Sequence, residues 1–246
     1  MNRRNLITLI ATLATVTGCI NADDTNKNGG DSAANADQSS GDSDSHTVNG
    51  AIRVKAGEKR NDVSTVNGSI HIDDNASVAG AQTVNGSIGV GAHSTTGSLN
   101  TVNGSITVGD GASVSDTIAA VNGSLTLREG ADIRGAVSNV NGRILLQGAH
   151  VGGGIKTVTG DIDIGSNSHV EGGILVHKKT SGLFDFFHWG KSDTPRIVIG
   201  PGAVVQGNLR FEREVQLFVS DSATIGTVSG ATAVKFAGAN PPGGAG

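Results

Sequence analysis

One tripeptide constrains this chain more than anything else in it. Val-Asn-Gly recurs with its Asn at 49, 67, 85, 103, 122 and 141, and a seventh copy, Val-Thr-Gly, puts Thr159 in the same slot. The spacings are 18, 18, 18, 19, 19 and 18 residues. Self-similarity at a short fixed period is the mark of a solenoid, in which each unit buries its apolar face only against its neighbours.

Each period reads as one coil. In 101–118 the apolar residues fall at Val102, Ile106, Val108, Ala112, Val114 and Ile118, and the next coil repeats them at Val121, Leu125, Leu127, Ala131, Ile133 and Val137. Alternation by two marks short strands, and helical spacing is nowhere sustained. Gly104, Gly109 and Gly111 punctuate them. The expected fold is therefore all-β: a single-stranded parallel β-helix of 18–19 residues per coil and eight to nine coils. Coils stacked at roughly 4.8 Å would make a rod about 40 Å long.

Asn and Gly tolerate positive φ, which suits a tight corner at Val-Asn-Gly. The stacked side chains of Asn49, Asn67, Asn85, Asn103, Asn122 and Asn141 would form an amide ladder, with Thr159 ending it. Asn67, Asn85, Asn103 and Asn122 also begin Asn-Gly-Ser, but that Ser position holds Ala51, Arg143 and Asp161 in other coils. A structural turn thus explains the Asn better than glycosylation does.

Composition agrees with thin layered β-structure. There are 38 Gly, no Tyr and only 6 Phe and 1 Trp, so the core must be built from Val, Ile, Leu and Ala. The net charge of −4 argues against nucleic acid as a partner.

The first residues carry an export signature. Arg3 and Arg4 precede an apolar stretch, Leu6 to Val16, that is too short to span a bilayer. Val16-Thr17-Gly18-Cys19 resembles the bacterial lipobox. That resemblance implies cleavage after Gly18, acylation (palmitate among the chains) of Cys19, and membrane attachment through it; Ile20, where inner-membrane retention uses Asp, points to the outer membrane of a Gram-negative host. Cys19 is the only Cys, so no disulfide can form within the chain. Loss of Arg3 and Arg4 leaves 16 cations against 22 anions, a mature charge of −6.

The domain reading follows: signal peptide at 1–18, acylated Cys and disordered tether at 19–46, β-solenoid at 47–236, and a disordered Gly/Ala/Pro tail at 237–246. Ile20 to His46 carries six Asp, one Lys and no aromatic residue. It cannot bury enough surface to fold, and its reach would be roughly 30 Å. The array is interrupted at 177–195, where Phe184, Phe186, Phe187 and Trp189 gather four of the seven aromatics. Two readings stand for them: cover for one solenoid face, or a contact patch for a partner, a membrane or another copy of the chain.

Chemistry is sparse. Of the seven His, none has spacing such as His-x-x-x-His, so no metal site is expected, and His71, His93 and His150 read as solvent-facing. No cofactor motif is present. Asp161 and Asp163 alternate along one strand and would suit a carboxylate pair, although solvation explains them better. Two spacings of 19 fit poorly with hexapeptide acyltransferases, and a single long loop fits poorly with polysaccharide lyases.

Two family resemblances arise. Thr-Val-Asn-Gly-Ser-Ile, at 65–70, 83–88 and 101–106, resembles the adhesin-type repeat domains of bacterial envelope proteins. Ile197-Val-Ile-Gly-Pro-Gly-Ala-Val-Val-Gln-Gly-Asn-Leu209 resembles bactofilins, the polymer-forming β-solenoids. Together they cover roughly 47–230. The second implies a right-handed, triangular solenoid capable of end-to-end self-association; the lipobox and the aromatic insertion depart from it. The expected function is a non-enzymatic, envelope-anchored structural or adhesion module with an envelope protein or glycan as partner. The alternative is a carbohydrate-active enzyme using Asp161 and Asp163 on a solenoid face.

Overall fold

The computed structural model describes residues 44–178 and 194–242. The signal peptide, Cys19, the tether up to 43, the aromatic segment with Phe184, Phe186, Phe187 and Trp189, and the last four residues lie outside the described residues.

Among the described residues every regular element is a strand, and the strands pair in parallel with their equivalents one coil away. The chain is a β-solenoid. Its first face stacks ten strands, from Ile52–Val54 and Ile70–Ile72 through Ile106–Val108 and Ile162–Ile164 to Ala233–Phe236. Ten exceeds the eight to nine coils expected, over nearly the same residues, from Ser45 to Phe236. Ser45 and His46 pair with Val63 and Ser64, so the strand begins two residues before position 47.

The second and third faces show why the period changes from 18 to 19. In the early coils they are one nine-residue strand, as in Ser77–Asn85 and Thr95–Asn103. The inward residues Thr96 and Leu99 are three apart; their partners one coil on, Val114 and Ile118, are four apart. The extra residue opens the corner, and the long strand splits into Ser113–Val114 and Ile118–Asn122. Later coils keep this split, with Asp132–Ile133 and Val137–Asn141, then His150–Val151 and Ile155–Thr157.

The core is the column of inward residues. In one coil these are Ile106, Val108, Ala112, Val114 and Ile118, all fully buried. Each large aliphatic contributes about 1.5–3 kcal/mol on burial. One expectation fails. Val102, Val121 and Val158 do not point inward; they are half-exposed, and the buried residue of the motif is the one before, Thr101 or Thr157. The cause is hydrogen bonding. Thr65, Thr83 and Thr101 donate their hydroxyls to the carbonyls of Gly50, Gly68 and Gly86 in the preceding coil, at 3.1, 2.9 and 3.0 Å. A corner carbonyl turned inward needs a donor, and Val has none. Thr47, the first described residue of this column, bonds the Asn49 carbonyl of its own coil.

The corner glycines have two causes: Gly50, Gly123 and Gly142 have the expected positive φ, at +138°, +154° and +124°, and the others do not. At Gly68, Gly86 and Gly104 φ lies outside the left-handed region, and no Asn of the motif has positive φ. A Cβ at each of these three would stand 1.9 Å from the carbonyl oxygen of the corner beneath it. Close stacking, not turn conformation, selects glycine there. A second positive-φ position recurs at the corner after the first face, at Gly57, Asn75, His93, Gly111, Gly130, Gly148, Asn167 and Gly202.

The interruption leaves and rejoins the array at one corner. Thr157 pairs with Val176, and Ile162 with Ile197, so residues 177–195 replace the Val-Asn-Gly corner of that coil.

Candidate functional site

The residues singled out by sequence are bound up in coil-to-coil contacts. Asn67, Asn85, Asn103 and Asn122 each donate their side-chain amide to the Asn one coil before, at 2.9–3.0 Å, with Asn49 accepting at the start. Thr159 donates to Asn141 at 3.2 Å. Between Asn122 and Asn141 the backbone register continues, but there Asn139 carries the side-chain bonding, donating to the carbonyls of Gly123 and Gly142 at 2.8 and 3.0 Å. Asn139 is the inward residue of its coil, in the place Thr101 holds two coils earlier.

Asp161 and Asp163 are separately engaged. Asp161 accepts from the Arg196 amide at 2.7 Å, and Asp163 pairs with Arg143, which projects from the coil before. An open groove of about 670 Å³ crosses the corner near His71, Asp73, Asp74 and Asp110. Two of its three acids are likewise occupied: Asp73 pairs with Arg53 at 2.9 Å and with His71 at 3.1 Å, and Asp74 accepts from the Ala92 amide at 2.8 Å. A general acid or base needs a group free to exchange a proton with substrate, and these carboxylates are tied to structural partners.

One cluster has a different character. On the second face, Asp132, His150 and His169 are stacked partners in consecutive coils, outward because Ile133, Val151 and Val170 take the inward positions. Glu171 follows two residues after His169 and returns to the same side. His150 Nδ1 lies 2.5 Å from Asp132 Oδ1, and its Nε2 lies 3.2 Å from Glu171 Oε1. The His150 and His169 rings are 5.5 Å apart, tilted by 50°. The Gln206 amide donates to His169 Nε2 at 3.0 Å. The hydrogen bond to Asp132, opposed by desolvation and aided by Glu171, raises the His150 pKa above its ordinary value.

His150, His169 and Glu171 together offer donor atoms within 4.8 Å of one another. Reading by His-x-x-x-His missed this group, because that spacing belongs to a helix. In a solenoid the equivalent spacing is one coil, and His150 and His169 are 19 residues apart. Cys19 and the four clustered aromatics lie outside the described residues, so the geometry here concerns the solenoid alone. No family model, no curated protein and no solved structure matches this chain.

Proposed function

We propose that the chain is an exported, lipid-anchored rod: a β-solenoid held on an envelope membrane through acylated Cys19 and the 20–46 tether, serving as a non-enzymatic structural or interaction module. The observation that carries this reading is how the repeat spends its polar residues. The Asn and Thr of Thr-Val-Asn-Gly bond coil to coil, and Asp161 and Asp163 are held by Arg196 and Arg143. A repeat whose polar groups serve stacking makes a stiff spacer. The lipobox-like Val16-Thr17-Gly18-Cys19 supports export and anchoring, and Ile20 after it supports the outer membrane in a two-membrane cell. The resemblance to adhesin-type repeats and bactofilins supports a role in adhesion or self-association. The aromatics Phe184, Phe186, Phe187 and Trp189 are the residues we assign to partner contact, whether envelope protein, glycan or a second copy.

The test is expression of the full chain with a clickable palmitate analogue, followed by membrane fractionation. Label and membrane recovery should both be lost in Cys19→Ser. Equal membrane recovery of the Cys19→Ser chain would overturn the anchor. Deleting 180–194 should then abolish partner capture while leaving the strand circular dichroism unchanged; turnover of an envelope glycan that vanishes in Asp163→Asn would overturn the non-enzymatic reading.

A further inference from the structure

We propose that His150, His169 and Glu171 form a binding site for one divalent transition-metal cation of the zinc class. Two imidazoles and a carboxylate are the donor set such ions take, with bonds of about 2.0–2.2 Å. Those bonds place tetrahedral ligand atoms ~3.3 Å apart. His150 Nε2 and Glu171 Oε1 already stand at 3.2 Å, and the whole set lies within 4.8 Å. Closing the remainder takes rotation of the half-exposed His169 side chain, which gives up the bond its Nε2 accepts from Gln206.

Asp132 supplies an independent observation. It accepts from His150 Nδ1–H, so Nε2 is the nitrogen left to face Glu171, as a donor when the ring carries a second proton and as a ligand atom when it does not. Carboxylate–histidine–metal is the arrangement that orients a ligating imidazole and raises its basicity. A neutral imidazole lone pair and a carboxylate facing each other need a positive charge between them. A proton could supply it for His150 alone, but His169 beside them adds a third donor, which a proton does not use and a metal does. The charges balance as well: two neutral imidazoles and two carboxylates, Asp132 and Glu171, match a dication.

The solenoid makes the site rigid. His150 and His169 are fixed one coil apart by the ladder between His150–Val151 and His169–Val170. Three protein ligands leave a fourth position for water or for a donor from another molecule. Hard cations such as Ca²⁺ prefer six or more oxygens and should be rejected.

The test is isothermal titration of the untagged full chain, Cys19 alkylated, with Zn²⁺ and separately with Ca²⁺. The expected result is one Zn²⁺ per chain, unaffected by Ca²⁺. His169→Ala and Glu171→Gln should each weaken Zn²⁺ at least tenfold, and Asp132→Asn by about 10–100-fold. Zn²⁺ should also raise the melting midpoint of the unmodified chain and not that of the His150→Ala/His169→Ala double variant. Absence of saturable Zn²⁺ binding, undiminished binding in the double variant, or equal affinity for Ca²⁺ would each overturn the site. Should the double variant fail to fold, Co²⁺ added to the unmodified chain gives the same reading: an absorption spectrum of mixed nitrogen and oxygen ligation supports the site, and an all-oxygen spectrum overturns it.

Discussion

The same substitution should move stability in opposite directions at two buried threonines. Thr83 and Thr96 are both buried, at 0 and 1 % exposure. The Thr83 hydroxyl donates to the Gly68 carbonyl at 2.9 Å. The Thr96 hydroxyl has no hydrogen-bond partner, and Thr96 stacks between Val78 and Val114, so it is a threonine in a valine column. Valine replaces the hydroxyl by a methyl of nearly equal volume, and the packing change is small in both. At Thr83 the change strands the corner carbonyl and costs about 1–2 kcal/mol. At Thr96 it removes a buried polar group that pays its desolvation unrelieved, a gain of about 1–2 kcal/mol. The two variants should therefore differ by roughly 2–4 kcal/mol. Urea titration followed by the strand circular dichroism measures it, as a lowered midpoint for Thr83→Val and a raised one for Thr96→Val. If both variants fall, or both stay with the unmodified chain, inward hydrogen bonding does not decide which residue faces the core.

Gly86→Ala should be among the most damaging single changes, because its Cβ would meet the Gly68 oxygen at 1.9 Å, whereas Gly50→Ala, whose Cβ has only the Thr47 hydroxyl at 3.8 Å, carries just the strain of its φ of +138°. Opening that corner breaks four bonds, from Gly68, Ile70, Thr83 and Asn85, at about 1 kcal/mol each; hydrogen exchange should show protection lost between residues 68 and 90. Ala120 interrupts the inward ladder between Thr101 and Asn139, so Ala120→Thr should offer the Gly104 carbonyl a donor and raise the urea midpoint by an amount equivalent to about 0.5–1 kcal/mol. His93 is exposed with φ of +55°, and His93→Asn should relieve about 0.5 kcal/mol of left-handed strain, read in the same titration. Arg143→Ala removes an exposed ion pair with Asp163 and should shift stability by less than about 1 kcal/mol, a shift that shrinks further in high salt.

The fold was legible because the repeat states its own period, and Ile106, Val108, Ala112, Val114 and Ile118 are all buried where alternation puts them. The motif itself was misread at two points, each for a definable reason. Thr101 and Val102 are adjacent strand formers, and hydropathy alone chooses Val. The inward side is set instead by the Gly86 carbonyl, which belongs to another coil and is invisible in a local window. The same holds for Gly86 and Gly104, whose need for a bare Cα comes from the corner stacked beneath them, not from their own φ. In a solenoid the forces that select a residue act across one coil, so the informative sequence distance is 18 or 19, not two, three or four. Asp132, His150 and His169 follow at intervals of 18 and 19, and they are partners in one stacked column. A search of this sequence at that interval would have paired the imidazoles with their orienting carboxylate. Glu171, two residues on along the same strand direction, would then have completed the set.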